Sequence, residues 1–309
     1  MHHNALRKIV IAGGSGFVGT LLAKHLAKTS QVIVLSRTDA PGGSNVRTVL
    51  WNGRDPGAWI EELEGVYAII NLTGKNVNCR YNSQNKTEIL ESRVLSTKVL
   101  GQAVSALNNP PKVWIQMSSA TIYRHSEDRP MDETFGEVGD DFSMNVCRDW
   151  ETTFDSLPLN GTRRVIMRTS IVMGKDGGAF PPLLNLVRFG LGGRQGNGKQ
   201  MVSWIHEDDM VGIVDWMLDG RAQGTYNVTS PQPIQNNVLM RHLRKSFGAM
   251  MALPAPAWLL TLGAVVIGTE TELVLKSRWV IPKRLLQEGY RFRYPSAETA
   301  IKNLLKRSH

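Results

Sequence analysis

A β-branched run, Ile9-Val10-Ile11-Ala12, stops at a cluster of glycines and gives way to Leu21, Leu22, His25 and Leu26 at helical spacing. Strand, glycine turn and helix therefore open the chain. Further apolar runs cover residues 32–35, 66–72, 113–117 and 164–172, and 226–228 form a late strand candidate. Between them lie amphipathic segments, notably 86–107, with Ile89, Leu90, Val94, Val99 and Leu100, and 145–154. Strands apolar on both faces, alternating with one-sided helices, predict a parallel sheet covered on both sides: an α/β, Rossmann-type doubly wound fold. After Gly174 the alternation weakens into glycines, prolines and scattered helices. The expected division is a core over 1–175 and a smaller C-terminal substrate lobe over 176–309, with part of 206–230 returning to the core sheet.

At roughly 100–200 residues per domain, 309 residues suit such a core and lobe. The 42% hydrophobic and 20% charged content excludes disordered, collagen-like and disulfide-scaffold classes. Two cysteines, Cys79 and Cys147, and no basic-apolar-small leader at the start favour a reducing compartment, with the cytoplasm expected. The net charge of +9 gathers late in the chain: Arg278, Lys283, Arg284, Arg291, Arg293, Lys302, Lys306 and Arg307 face only Glu288 and Glu298. These cations alternate with Leu285, Leu286, Tyr290, Phe292 and Tyr294, the pattern of a half-solvated element, so no nucleic-acid partner is expected. Residues 246–269 carry no charge, but Pro254 and Pro256 leave only 257–267 as a continuous helix, short for a bilayer and ordinary for a core. No membrane contact is expected.

In the first turn, Gly13, Gly14, Ser15, Gly16, Phe17, Val18 and Gly19 meet the requirements of a dinucleotide site. The glycines allow a tight turn, close approach of the backbone to a pyrophosphate, and close packing of the helix on the sheet, with the helix N-terminus facing the phosphates. The second strand ends at Ser36-Arg37, where an NAD enzyme usually carries a carboxylate for the ribose 2′-hydroxyl. Ser36 can donate to a 2′-phosphate and Arg37 can grip it in a charge-assisted fork, so NADP(H) is preferred over NAD(H). The counter-reading is that Asp39 pairs with Arg37 and restores NAD.

Together with Asn71-Leu72-Thr73-Gly74, Ser118-Ser119-Ala120-Thr121-Ile122-Tyr123 and Arg168 before Val172-Met173-Gly174, the glycine turn resembles the extended short-chain dehydrogenase/reductase superfamily. Later blocks narrow the resemblance to its atypical epimerase-like subfamily, labelled nucleoside-diphosphate-sugar epimerase-like or SulA-type cell division inhibitor. They are Cys147-x-x-Trp150-Glu151, the glycine-rich 190–198 leading to Ser203-Trp204-Ile205-His206-x-x-Asp209, and residues 280–295. The resemblance covers essentially the whole chain. It implies that Leu72, Thr73 and Gly74 line the cofactor, that Glu88 and Arg93 reach toward it, and that Val172 lies near the nicotinamide. Taken from the residues alone, Glu88 and Arg93 are solvated helix charges.

Extended members of that superfamily activate a substrate hydroxyl with a Tyr-x-x-x-Lys pair. Here those positions fall on Ser143 and Cys147, and no tyrosine has a lysine four residues later. Ser119 matches the hydroxyl-orienting serine. Tyr123 is the candidate surrogate acid, against a reading as a packed loop tyrosine, since a phenol without a nearby cation keeps a pKa near about 10. Cys147 reads as a small buried residue. Glu207, Asp208 and Asp209 after His206 suggest a helix N-terminal turn rather than a metal site, because consecutive carboxylates do not share one helix face; no metal is expected. Arg194 in the 190–198 loop and Lys199 beside it either hold a substrate phosphate or edge the pocket. The chain is expected to be an NADP(H)-binding epimerase-like or oxidoreductase protein acting on a small polar substrate, a nucleotide-linked one included. The alternative is an NADPH-binding sensor with little turnover that signals through a protein partner.

Overall fold

The computed structural model describes residues 6–39, 42–249, 252–256 and 275–306. Along the chain run β1 (Arg7–Ala12), α1 (Phe17–Leu26), β2 (Ser30–Ser36), β3 (Val46–Leu50), β4 (Ala68–Asn71), α2 (Ser83–Ser105), β5 (Val113–Ser119) and α3 (Phe142–Asp155). There follow β6 (Arg163–Thr169), β7 (Ile171–Met173), α4 (Phe180–Arg188), β8 (Met201–Val202), β9 (Trp204–His206) and α5 (Glu207–Asp219). Last come β10 (Gly224–Val228), β11 (Ile234–Gln235), α6 (Asn236–Phe247), α7 (Lys283–Gln287) and α8 (Ala297–Lys306).

A seven-stranded sheet in the order β10-β6-β5-β4-β1-β2-β3 forms the centre, and every pairing in it is parallel. Successive residues of a strand point to opposite faces, and this sheet is apolar on both. Ile9, Ile11, Val34, Ile70 and Ile115 meet Leu22 and Leu26 of α1 and Ile213, Val214 and Met217 of α5. Val10, Ala12, Ile33, Ile69 and Trp114 meet Val99, Leu100 and Val104 of α2. The chain leaves β1 toward β2 and β3, then returns to lay β4 on β1's other side. That reversal opens a crevice at the carboxyl ends of β1 and β4, the place where doubly wound sheets bind ligands.

The hydropathy pattern does not reveal β3. It is an edge strand without a buried residue, and Leu50 is 61% exposed, so no apolar run marks it. Downstream, β10 is the opposite edge strand and α5 packs beside α1. α4, α6 and α8 build a separate core with Met173 and Trp204, whereas Leu285 of α7, with Tyr290 and Phe292, packs back on the main core. The 257–267 segment, read above as a core helix, lies outside the described residues. Among the described residues no helix is long and apolar enough to cross a membrane.

Candidate dinucleotide and substrate site

The glycines of the first turn divide the work. Gly13 has φ +72°, and a Cβ there would lie 2.8 Å from the Thr73 Cα; its N–H donates to the Leu35 carbonyl at 2.9 Å. A Cβ on Gly19 would come 2.4 Å from the Gly14 Cα, so only glycine lets α1 pack this close to the turn. Gly16 is the opposite case. It caps α1, no atom lies within 4 Å of where its Cβ would stand, no side chain caps the helix, and its first turn carries no acid. The positive end of α1 thus faces open space beside exposed Ser15. Val18 packs on the main core, and the Phe17 ring lies against 174–178, where a Cβ on Gly177 would come 2.3 Å from its Cδ2.

Ser36 is buried at the end of β2, and its Oγ accepts from the Thr38 N–H at 3.3 Å. Arg37 is exposed and makes no ion pair among the described residues, so the Asp39 pairing weighed above does not form. Its side chain borders a groove of about 480 Å³ also lined by Trp51, Asn52, Asp55 and Trp59.

At the end of β4, buried Asn71 donates to Gln116 Oε1 at 3.1 Å and Thr97 Oγ1 at 3.3 Å, while its own Oδ1 accepts the Thr73 N–H at 3.1 Å. Trp150 and Trp114 donate into the same network. The network fixes the turn that carries half-buried Leu72 and Thr73. Thr73 Oγ1 is buried without a hydrogen-bond partner among the described residues, a cost that a polar ligand atom would remove. Glu88 is paired with Lys75 and accepts from Gln84 at 2.9 Å. Arg93 lies under Gly74, whose Cβ would come 3.0 Å from its Cζ. Val172 is buried, and its carbonyl accepts the Ala179 N–H at 2.8 Å.

Ser119 ends β5 half-buried at this same edge, where its Oγ donates to Thr121 Oγ1 at 2.9 Å and accepts the Thr121 N–H at 3.1 Å. Tyr123 does not join it as a free phenol. The ring is fully buried among Ile122, Met131, Cys147 and Val280; its hydroxyl donates to Asn227 Oδ1 at 2.9 Å and accepts from Arg168 Nη1 at 2.9 Å. Burial raises its pKa despite the adjacent guanidinium. This placement matches the packed-tyrosine reading weighed above rather than a free phenol.

Arg168 forks onto Glu151 with bonds of 2.9 and 2.7 Å, and Ser118 Oγ donates to the same carboxylate at 2.5 Å. Burial works against the Arg168 charge, but the Glu151 bonds outweigh it and raise its pKa. Sequence spacing did not expose this network, although a glutamate on a helix face with buried neighbours was its available signal. Burial pushes the Cys147 thiol up to about 12, which removes it as a nucleophile.

The acidic run at α5 ties segments together. Glu207 accepts the Lys175 N–H at 3.3 Å, and Asp209 accepts the N–H groups of Arg293 and Tyr294 at 2.7 and 2.9 Å. His206, buried and stacked on Tyr294 with ring centroids 4.0 Å apart, accepts the Asp208 N–H at 3.0 Å. Among the described residues no group of three ligand-type side chains could hold a metal. Of the late cations, Arg284 donates to the Gln223 and Thr225 carbonyls, Lys283 pairs with Asp132 and Lys276 with Asp141, whereas Arg291, Arg293, Lys302 and Lys306 are exposed, as expected of a half-solvated element. In the 190–198 loop the backbone pairs with 253–255. Arg194 and Lys199 are exposed there.

Residues 9–142 match the model of the NAD dependent epimerase/dehydratase family, and 255–304 match a domain of unknown function, DUF1731. Epimerase family protein SDR39U1 of Mus musculus is 30% identical over 304 residues, spanning 96% of this chain and 99% of that protein. The crystal structure of human SDR39U1 (isoform 2) with NADPH is similar with a TM-score of 0.85 at 30% identity, over 97% of this chain and 99% of that one. The nucleoside-diphosphate sugar epimerase from Corynebacterium glutamicum is similar with a TM-score of 0.77 at 29% identity, over 97% of this chain and 58% of that one.

Proposed function

The chain belongs to the epimerase family, and from that membership we propose that it binds NADP(H) in preference to NAD(H) and acts on a small polar substrate, a nucleotide-linked one included, between core and lobe. The open space at Gly16 and the start of α1, where no side chain caps the helix, suit a pyrophosphate flanked by Gly13, Gly14, Ser15, Phe17, Val18 and Gly19. Thr73, with Leu72 and Gly74, offers a hydroxyl oxygen that has no hydrogen-bond partner among the described residues, and Val172 offers an apolar wall. Glu88 acts through Lys75, which it holds beside the β4 turn. Bound there, the nicotinamide supplies hydride transfer. The chain's share is to orient the reacting oxygen, for which Ser119 stands at the carboxyl end of β5 with a hydroxyl that can redirect its hydrogen bond from Thr121.

The observation that carries the cofactor preference is Arg37: an exposed guanidinium that forms no ion pair among the described residues, at the end of β2 where a ribose carboxylate partner would stand in an NAD site. Charge-assisted bonds to phosphate contribute about 1.5–3 kcal/mol each, so Arg37→Ala should weaken NADPH binding by roughly 10- to 100-fold and leave NADH affinity unchanged. A fluorescence titration with both nucleotides tests this. Equal affinity for the two would sink the preference, and no binding of either would sink the reading. The sensor alternative draws on Ser143 and Cys147 standing where an acid–base pair is expected. Partner binding retained after Gly16→Trp would count against it.

A further inference from the structure

We propose that the end of the C-terminal lobe where α4 and α6 finish docks on the surface of an anionic lipid bilayer. Exposure singles out this face. Phe189 is 79% exposed, more than any other large apolar residue among the described ones, and Leu191, Phe247 and Leu253 are exposed with it. The four belong to one patch. The Leu253 N–H donates to the Gly190 carbonyl at 2.9 Å and the Gly193 N–H to the Leu253 carbonyl at 3.1 Å, which lays Leu253 along the loop that follows Phe189 and carries Leu191. Arg188 Cζ stands 5.8 Å from the centre of the Phe247 ring, which joins the end of α4 to the end of α6. Scattered exposed apolar residues need no explanation, whereas a cluster of them marks a contact surface.

The charge beside the patch selects its occupant. Residues 177–206 and 220–269 contain no Asp or Glu. Around the apolar tips they supply Arg188, Arg194, Arg241, Arg244 and Lys245, none of which forms an ion pair among the described residues. Arg241, Arg244 and Lys245 share one face of α6. Arg244 also runs past the loop, since a Cβ on Gly192 would lie 2.9 Å from its Cγ. From α8, Glu298 is paired with Lys302, and that bond, with smaller pulls from His242 and Lys245, holds its carboxyl below the ordinary glutamate value. Cations in the last turns of α4 and α6 suit the negative helix ends, which accounts for Arg188, Arg244 and Lys245. It does not account for Arg194 and Arg241, which lie outside those turns, or for the apolar tips beside them.

A bilayer surface takes both kinds of side chain: its acyl boundary accepts aromatic and aliphatic groups, and its anionic headgroups attract Lys and Arg. A nucleic acid would use the cations and stack on Phe189 and Phe247, but Leu191 and Leu253 offer a base no ring. Docking of this kind requires no spanning helix. The expectation of no membrane contact rests on the length of 257–267 and on the pattern of the late cations, neither of which concerns this face. The dinucleotide reading is likewise independent of it.

Cosedimentation of the full chain with vesicles tests the proposal. Binding to phosphatidylcholine vesicles with about one-third phosphatidylglycerol should be at least about tenfold tighter than to phosphatidylcholine alone, and should weaken between about 0.1 and 0.5 M salt. Phe189→Ser should weaken it about tenfold with an unchanged melting temperature. Arg241→Gln combined with Lys245→Gln should weaken it about 25-fold, about fivefold for each cation. Lys24→Gln combined with Lys28→Gln is the control. These lysines are exposed at the end of α1, on the core, so their loss should change binding by less than about twofold. Equal losses in the two double variants would assign the attraction to the net charge of +9 and overturn the proposal. Equal binding to both vesicles, or binding that ignores Phe189→Ser, overturns it as well. Absence of vesicle binding overturns it in every case, and companion measurements then name the occupant. A lowered melting temperature in Phe189→Ser puts another part of the chain over the ring, a dimer that Phe189→Ser dissolves puts a second copy there, and tight binding of RNA puts a nucleic acid there.

Discussion

At the β1 end of the sheet edge, the geometry comes from side chains that are absent. Gly13 lets the turn lie against Thr73, Gly19 lets α1 lie against Gly14, and Gly16 leaves open space at the helix start. At the β5–β6 end of the same edge, it comes from side chains that are present: Ser118, Glu151, Arg168, Tyr123 and Asn227 close a buried chain of hydrogen bonds. One end is organised by backbone and stays open to a ligand. The other is organised by satisfied charges and stays closed. The difference fits the proposal that the first end binds the dinucleotide, with Ser119 following Ser118 of the closed network in the chain.

The largest expected effect comes from breaking the closed end. Glu151→Ala would leave Arg168 buried and unpaired, and removal of one member of a buried pair costs about 3–5 kcal/mol. Urea unfolding should show that loss, and a change below about 1 kcal/mol would mean the network is not what holds the strand ends. At the open end, Gly19→Ala forces a methyl group into the Gly14 backbone, 2.4 Å away, and should cost about 2–3 kcal/mol by overpacking. Gly16→Ala is its control. The methyl group enters free space, so stability should hold within about 0.5 kcal/mol while NADPH affinity falls, a split that thermal melting and nucleotide titration resolve together.

Tyr123→Phe sharpens the contrast further. It strips a partner from Asn227 and Arg168 and should lower stability by about 1–2 kcal/mol without changing nucleotide affinity; loss of affinity instead would restore Tyr123 to the ligand side. The smallest effect concerns the thiols. With Cys147 buried and pushed up to about 12, native protein at pH 8 should give one alkylatable cysteine, Cys79, and a second only after unfolding. Two fast-reacting thiols would show that α3 opens.

Much of this molecule is legible in its order of residues. Apolar runs at β1, β2, β4, β5 and β6 mark a parallel sheet because buried strands need no polar face. The glycine turn is legible because a backbone demand is local: the spacing 13, 16, 19 carries it without reference to any distant residue. Ser36 and Arg37 are legible for the same reason, as the end of a strand that follows in sequence. β3 is not, since an edge strand without buried residues carries no apolar signature, and Leu50 sits largely in solvent.

Only the folded chain decided the rest. Whether Tyr123 is a free acid or a packed ring depended on Asn227 and Arg168, which lie 104 and 45 residues away. Whether Lys283, Lys276 and Arg284 are solvated or internal depended on Asp132, Asp141 and the Gln223 carbonyl, reached across 151, 135 and 61 residues. A side chain's charge and protonation follow from what surrounds it in space, and sequence separation carries no record of that. Conformation demanded by a single glycine was therefore written in the chain, whereas the role of each titratable group was settled by the neighbours that folding brought to it.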